Sequence, residues 1–217
     1  GLCLVGSEMC IRDRSITDHE FLSEVENTNL IEIIPGVEMS VSWYDLELEN
    51  PFAGIHLLIY FLKKDTPIYE LLSKIRIEKK NRNYEILEKL KKVGVEIERK
   101  ELDDLETKVP GRPHIANLMK SKGYVASLNE AFKEYLGNGK VGDSRIHQNP
   151  IEEVIDCAKE SKCLVFLAHP HTLMSNKDYS FSKNWYDSAF VDRLGSLKNL
   201  GIHGVETYYS SYSKTTS

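Results

Sequence analysis

Four short segments place histidine or acidic side chains where runs of apolar residues begin or end. These residues are Asp18 and His19 after SIT, Glu38 after IIPGV, His56 near the start of IHLLIYFL, and His169 after LVFLA. Imidazole nitrogens and carboxylate oxygens are the ligands that Zn, Mn and Fe ions prefer. If the apolar runs are strands of a parallel barrel, their carboxyl ends meet at one mouth. The four segments therefore predict a metal site.

Each of these residues also has an ordinary structural explanation when it is taken singly. A lone histidine at a strand end commonly serves as a hydrogen-bonding group, and a lone glutamate after Gly-Val is commonly the polar end of a strand. Glu206, which follows HGV, fits the same pattern without an assigned ligand role. The metal site is therefore inferred from several such groups at equivalent places.

The elements that must position these groups alternate between strands and helices. Predicted strands cover Ile31–Val41, Ile55–Leu62, Cys163–Ala168 and Gly204–Tyr209. Predicted helices cover Pro67–Val93, Pro113–Lys122, Ser127–Leu136, Pro150–Ser161 and Asp187–Leu200. Strands separated by helices indicate parallel βα units. The stretch 65–142 holds helices without a clear strand, which indicates a helical insertion.

Composition excludes several other classes of protein. The chain has 217 residues, 41% of them hydrophobic, with a formal net charge of −5. No apolar run approaches the ~20 residues of a membrane-spanning helix, and the charge excludes a globally basic nucleic-acid coat. Cys157 and Cys163 are interpreted as buried thiols of a reducing cytosol. These features predict a cytoplasmic protein with no membrane partner, and no protein partner is predicted.

Six motifs occur in the order known from one family. They are TDH (Thr17–His19), IPGVEMS (with Pro35–Ser40), IHLLIYF (Ile55–Phe61), GRPHIA (Gly111–Ala116), LAHP (Leu167–Pro170) and GVETYYS (Gly204–Ser210). Together they resemble the PHP (polymerase and histidinol phosphatase) superfamily, and in particular its TrpH-like branch of metal-dependent phosphoesterases. The resemblance extends from Ser15 to Ser217.

The resemblance implies an α/β fold, a distorted (βα)7 TIM-like barrel with a small α-helical insertion. It implies two or three divalent metal ions (Mn, Fe or Zn) held by His19, Glu38, His56 and His169, with Glu38 bridging two of them. Asp18, His19, Glu38 and His169 are the implied catalytic residues. The expected divisions are 15–64 and 143–217 for the barrel and 65–142 for the insertion.

Two groups of residues are candidates for binding the phosphates of the substrate. Lys79 and Arg82 interrupt the apolar stripe of the predicted helix 67–93, together with Asn83, so that they could face a cleft. A solvated, kinked helix is the alternative. Arg112 and His114 lie at the start of the next predicted helix, where forked donors and helix N–H groups favour anions. A plain turn with a first-turn proline is the alternative there.

Both ends of the sequence depart from the family pattern. Residues 1–14 are expected to be non-native, since Cys3–Arg14 resembles a translated sequencing adapter. The first-strand HxH motif and the late SDxH-type strand of the family are missing. The barrel is therefore expected to be partial, and the fragment itself is expected to be inactive.

The predicted function is the hydrolysis of phosphate esters in nucleotides or RNA ends by metal-activated water. The implied types are a 3′,5′-nucleotide bisphosphatase or a 5′-3′ exoribonuclease, with a phosphorylated small molecule, nucleotide or RNA end as the partner. A histidinol-phosphate or sugar-phosphate phosphatase is one alternative. A non-catalytic PHP module that binds nucleotides is the other.

Overall fold

The computed structural model describes residues 13–23, 25–28, 31–43, 52–144, 149–173 and 188–207. The chain forms two compact units. The sheet unit comprises the residues up to Leu72 and those from Gln148 onwards, and the helical unit is Ser73–His147. The sequence-based boundaries at 64/65 and 142/143 stay a prediction.

The sheet unit is built on six strands that form a curled half-barrel. The strands are β1 (Asp13–Ile16), β2 (Glu32–Trp43), β3 (Phe52–Tyr60), β4 (Asn149–Pro150), β5 (Leu164–Leu167) and β6 (Gly204–Val205). Their order is β1-β2-β3-β5-β6, and β4 pairs with β2. Because β1 begins at Asp13, two residues of the segment predicted to be non-native pair with Glu32 and Ile33.

The expected arrangement of parallel βα units is not found at the centre of this sheet. β3 is antiparallel to both β2 and β5, whereas β1–β2, β2–β4 and β5–β6 are parallel. Only residues 44–51 connect β2 to β3. A parallel crossover needs a dozen or more residues, so this connection forces an antiparallel pair.

The two central strands alternate between a buried face and a partly open face. Val37, Met39 and Val41 of β2 are fully buried, as are Ile55, Leu57 and Ile59 of β3. Successive side chains of a strand point to opposite faces. The intervening residues, Glu38 on β2 and His56 on β3, therefore share the other face of the sheet.

The sheet unit also contains α5 (Ile151–Glu160), a 3₁₀ turn (Pro170–Leu173) and α6 (Ser188–Leu200). The apolar stripe of α5, which is buried, consists of Ile151, Val154, Ile155 and Ala158. This spacing of three and four residues is typical of a helix that covers a sheet with one face. The first turn of the helix that begins at Pro67 is attached to the end of α5, because Ser161 Oγ accepts from the Ile68 N–H at 3.1 Å.

The helical unit has its own apolar core. Its elements are the rest of α1 (Pro67–Lys91), α2 (Arg99–Asp103), α3 (Arg112–Ser121), α4 (Leu128–Ala131) and a π-helical turn (Phe132–Leu136). Ile86, Leu90, Ile115 and Met119 are fully buried in this core. The helix predicted to reach Val93 ends at Lys91, and Val93 is 51% exposed.

Two further expectations concern cysteines and membranes. Cys163 is buried and Cys157 is only partly buried, and both are free thiols. Burial raises the pKa of each thiol, which makes the reactive thiolate scarcer. Among the described helices, none combines the length and the apolar character needed to cross a membrane.

Candidate metal centre

The four predicted metal ligands lie together in the sheet unit, around the carboxylate of Glu38. Glu38 Oε1 is 2.8 Å from His56 Nδ1 and 3.3 Å from His169 Nε2. The other oxygen, Oε2, is 3.7 Å from His19 Nε2. The two oxygens of one carboxylate therefore face different imidazoles.

The rings of His56 and His169 also approach each other directly. His56 Nδ1 and His169 Nε2 are 2.9 Å apart, and the ring of His19 lies 5.1 Å from that of His56 between centroids. Two ring nitrogens that both carry lone pairs repel at such a distance unless a proton or a cation lies between them. The arrangement concentrates electron-pair donors at one point.

The register of the central strands brings Glu38 and His56 together. Glu38 pairs with Leu58 and Ser40 pairs with His56 across β2 and β3. Glu38 and His56 are thus diagonal neighbours on one face, a separation that long side chains span. Both residues lie within their strands, so the expectation that the ligands sit at strand ends is wrong for this pair.

His19 reaches the site through backbone pairing next to β2. His19 and Glu38 form a parallel bridge, in which Glu38 N donates to Asp18 O at 3.1 Å and Glu20 N donates to Glu38 O at 2.9 Å. The side chain of His19 is 59% exposed, whereas that of Glu38 is 17% exposed. His19 therefore forms the solvent side of the cluster.

The backbone at His169 is held by the side chain of Glu206 and by the backbone of β3. Its N–H donates to Glu206 Oε2 at 2.7 Å, and the Ala168 N–H donates to His56 O at 2.9 Å. The φ angle of His169 is +32°, a conformation that costs energy for a residue with a Cβ atom. Glu206, which the sequence placed near the site without a role, thus positions the His169 backbone.

The imidazoles keep Glu38 ionised. Burial alone would raise the pKa of its carboxyl, but hydrogen bonds from His169 and His56 and the charge of His19 outweigh it. The pKa of Glu38 therefore lies well below its ordinary value. At neutral pH the centre of the cluster is a permanent negative charge.

This donor set fits a divalent metal. The ligand atoms of His19, Glu38 and His56 all lie within 4.8 Å of one another, and His169 Nε2 contacts two of these residues. Imidazole nitrogens with a carboxylate suit Mn, Fe and Zn. The residues present are those that such an ion would require.

Two residues near the cluster were missed or underrated by the sequence analysis. Glu20, next to His19, is only 2% exposed, and its sole sequence signal was its place after TDH. The ring centroid of His171 is 5.8 Å from that of His169, and burial together with His169 lowers the pKa of His171. His171, which closely follows LAHP in the sequence, therefore borders the site.

Asp18 occupies a different position from the four ligands. It precedes His19, its backbone pairs with that of Phe21, and it is exposed. The group of described residues with metal-ligating geometry does not include it. Its predicted catalytic role stays a prediction.

The predicted phosphate-binding residues all lie in the helical unit, where three of them form a series of like charges. Burial, and then the charge of Arg82, lowers the pKa of Lys79 to about 8. Burial, and then the charge of Arg112, lowers the pKa of Arg82 to about 10. Arg112 Nη1 also donates to Leu136 O at 3.3 Å. Like charges in such proximity disfavour one another.

His114 has a structural contact at the start of α3. Its Nδ1 accepts from the Gly111 N–H at 3.0 Å, so the remaining ring proton belongs on Nε2, which can donate to an anion. The helix cap and the predicted phosphate contact thus use different nitrogens of one ring.

Four further polar residues have no motif role. Lys140 is exposed in the helical unit. His203 is bound to β5, since its Nδ1 accepts from the Val165 N–H at 3.1 Å. Arg145 and His147 lie outside the described residues.

Three curated proteins resemble the chain in sequence. It is 26% identical over 199 residues to a 5′-3′ exoribonuclease of Haemophilus influenzae, which covers 88% of this chain. It is 27% identical over 195 residues to the 5′-3′ exoribonuclease Rnm of Escherichia coli, which covers 82% of the chain. The chain spans 66% and 60% of the lengths of these two relatives. The Rnm protein of Salmonella typhimurium is 26% identical over 205 residues, which is 89% of this chain and 66% of that protein.

Two solved structures resemble it in fold. A protein of Bifidobacterium adolescentis described as a metal-dependent phosphoesterase matches 94% of this chain and 70% of its own, with a TM-score of 0.67 and 17% identity. An amidohydrolase of Chromobacterium violaceum, with bound sulfate and no metal, matches 94% and 69%, with a TM-score of 0.64 and 20% identity. At these identities the likeness shows the fold alone. No protein-family model matches the chain.

Proposed function

We propose that the chain is a metal-dependent phosphoesterase that hydrolyses phosphate esters at RNA ends or in nucleotides. The inactivity expected above from the missing motifs is the alternative that the assay below also tests. The type we favour is a 5′-3′ exoribonuclease, with a 3′,5′-nucleotide bisphosphatase next. The sequence relatives are named 5′-3′ exoribonucleases, and a structural neighbour is described as a metal-dependent phosphoesterase. In this proposal the half-barrel belongs to a distorted (βα)7 barrel.

The observation that carries the proposal is the convergence of three imidazoles on one ionised carboxylate. His56 and His169 approach one oxygen of Glu38 and His19 approaches the other. A site of this kind costs folding energy, because it desolvates polar groups and holds His169 at an unfavourable φ angle. Such strain is found where function requires it.

The residues divide the work of binding between them. Glu38, ionised and partly buried, supplies negative charge to two sides and is the candidate bridge between two metals. His56 and His169 supply ring nitrogens from neighbouring strand segments, while the exposed ring of His19 faces solvent. Glu206 fixes the His169 backbone. We include Asp18 among the catalytic candidates because it is exposed and directly precedes His19 in the chain.

Two or three divalent ions (Mn, Fe or Zn) are the proposed cofactors. When bound, such ions lower the pKa of water toward neutrality and stabilise the negative charge that develops on a phosphoryl group. In the helical unit, Lys79, Arg82, Arg112 and His114 are the proposed contacts to the phosphates of the substrate. The sulfate in the Chromobacterium violaceum structure is an oxyanion of similar charge and shape to phosphate.

The proposal is tested with a pair of glutamate variants. Hydrolysis of a 5′-phosphorylated oligoribonucleotide and of adenosine 3′,5′-bisphosphate is measured with Mn²⁺ and again after chelation. We expect Mn²⁺-dependent release of nucleotides or phosphate, and a loss of about 100-fold or more in Glu38→Gln, because a charged ligand becomes neutral. Glu26→Gln makes the same charge change at an exposed position and serves as the control.

Four results would count against the proposal. Turnover in Glu38→Gln that equals the wild type would remove the assigned role of the carboxylate. Hydrolysis that survives complete chelation would remove the metal. Metal binding and nucleotide binding without any hydrolysis would favour the non-catalytic module. Turnover of histidinol phosphate, without turnover of RNA or nucleotides, would favour a histidinol-phosphate phosphatase.

A further inference from the structure

The helical unit contains a cavity at the edge of its apolar core, since Leu102 belongs to both. Its volume is about 340 Å³, at the lower end of the range of small-ligand sites. It lies beside α1, α2 and the loop that leads to α3. The lining side chains include the cations Arg76, Lys79, Lys80 and Lys108, the acid Asp103, and the buried amide of Asn83.

The charges of the lining do not balance. Four cations stand against one acid, so the formal charge of the lining is +3. Asp103 is already engaged, because Lys80 Nζ lies 3.2 Å from its Oδ1 and the Tyr84 hydroxyl donates to its Oδ2 at 2.6 Å. The cavity therefore has an excess of positive charge, in a chain whose formal net charge is −5. An anion would neutralise that excess.

The position of Lys79 adds to this preference for an anion. Burial and the neighbouring Arg82 lower the pKa of Lys79 to about 8. A partly desolvated ammonium group gains more from a bound anion than a fully hydrated one does. Among the lining cations, Lys79 is thus the one whose desolvation cost a bound phosphate would offset most.

The apolar side of the cavity lining consists of Leu102, Leu105, Val109 and Pro110. Asn83, which is 1% exposed, donates from Nδ2 to Pro110 O at 2.7 Å and accepts from Arg82 Nη2 at 3.2 Å. The bond to Pro110 ties the end of the loop before α3 to α1.

We propose that this cavity binds a phosphorylated ribonucleotide, with its phosphate against Arg76, Lys79 and Lys108 and its sugar or base against the apolar side. The ribonucleotide is either free or one unit of an RNA strand. Arginine and lysine both bind phosphate oxygens strongly, arginine through a fork of two donors. An acidic peptide would meet the same cations, but it has no rigid apolar body to occupy the side formed by Leu105 and Val109. The choice of a ribonucleotide rests on the proposed function.

The test measures binding by the whole chain in the presence of a chelator, so that no hydrolysis occurs. Fluorescence anisotropy of a 3′-labelled oligoribonucleotide is followed for the wild type and for Arg76→Ala/Lys108→Ala. We expect the double variant to bind at least 10-fold more weakly. We also expect its salt dependence, as the slope of log K against log salt, to fall by about 1.4, since each lost phosphate contact contributes about 0.7 for single strands.

The matched control is Lys120→Ala/Lys133→Ala, which removes two exposed charges of the same unit outside the cavity. It should bind RNA like the wild type, and circular dichroism should show both variants folded. Competition by adenosine 5′-monophosphate at micromolar concentration identifies a free nucleotide as the ligand. Displacement only by unlabelled RNA identifies the strand. Equal affinity of the cavity variant and the wild type would overturn the inference, as would equal competition by a polyglutamate peptide of matched charge.

The outcomes for the two proposals are distinguishable. If RNA binding depends on Arg76 and Lys108 but no ester is hydrolysed with Mn²⁺, the cavity inference stands and the proposed function fails. If Glu38-dependent hydrolysis is found while the cavity variant binds RNA like the wild type, the reverse holds.

Discussion

The sheet unit and the helical unit assemble polar groups in opposite ways. In the sheet unit, residues far apart in the sequence, from His19 to His169, converge on one carboxylate whose pKa is lowered. In the helical unit, cations lie side by side on α1 and the loop before α3, and the pKa of Lys79 falls to about 8. The first arrangement is built around a negative charge and the second accumulates positive charge.

This difference indicates which kind of ligand each unit can bind. A carboxylate held among imidazole nitrogens offers electron pairs to a cation. Clustered ammonium and guanidinium groups offer hydrogen-bond donors to an anion. A phosphoesterase requires both, a metal for the reaction and donors for the phosphates. In the sheet unit, the geometry of the ligand cluster depends on backbone pairing and strand register. In the helical unit, the positive charge depends on which side chains line the cavity.

The largest expected effect concerns the response of stability to metal. A ligand that binds only the folded state adds about 2.7 kcal/mol when its concentration is 100 times the Kd. At that ratio of Mn²⁺ to Kd, we expect the free energy of unfolding to rise by about this amount in the wild type and by far less in His169→Ala. Urea denaturation with and without Mn²⁺ measures both values. An equal response in Lys79→Met and the wild type would confirm that the effect belongs to the sheet unit. An undiminished response in His169→Ala would break the comparison.

The next effect tests how far the sheet unit depends on close backbone packing. A Cβ atom at Gly36 would lie 2.5 Å from Ser15 Oγ and 3.0 Å from Thr17 Cγ2, next to β1. Gly36→Ala should therefore lower the free energy of unfolding by about 2 kcal/mol and weaken Mn²⁺ binding, because β1 leads to His19. Denaturation and Mn²⁺ titration measure both.

The control for this variant is Gly195→Ala on α6. No atom lies within 4 Å of a Cβ built there, so alanine should stabilise the helix by about 0.5–1 kcal/mol. If Gly36→Ala were as stable as the wild type, the close packing of β1 on β2 would not matter for the site.

The smallest effect is a pH dependence in the helical unit. The folded pKa of Lys79, about 8, lies below its ordinary value of 10.5. Above pH 8 the unfolded chain binds more protons than the folded one, so this residue makes stability rise with pH up to about 10.5. Lys79→Met should be more stable than the wild type by about 1–2 kcal/mol at pH 7, and the difference should shrink toward pH 10.

Urea denaturation at several pH values measures this difference. Lys74→Met replaces an exposed lysine of the same helix and serves as the matched control. A constant difference between the Lys79 variant and the wild type at all pH values would contradict the assigned cause.

The local elements were largely predictable from sequence, and their directions were not. Apolar stripes with flanking prolines and glycines located α1, α3 and α5 to within two residues. The antiparallel course of β3 was missed because a hydrophobic pattern carries no information about strand direction. The short connection 44–51 was the available signal. The short helix α2 was missed because Arg99–Asp103 contains a single buried apolar residue, Leu102.

The candidate site was predicted in composition but not in detail. His19, Glu38, His56 and His169 meet as their types and motif order indicated. The diagonal pairing of Glu38 with His56 depends on strand register, which no residue type reveals. The bond from the His169 backbone to Glu206 is likewise a product of tertiary packing. Asn83 was grouped with Lys79 as a polar gap, and its role as an anchor for Pro110 required the folded structure.

The most direct test of the account is an anomalous difference map from crystals of this chain grown with Mn²⁺, recorded with X-rays near the manganese edge. The account predicts density within bonding distance of Glu38 and of at least two of His19, His56 and His169. Density only at another acidic site such as Asp103, or none under saturating Mn²⁺, would contradict it.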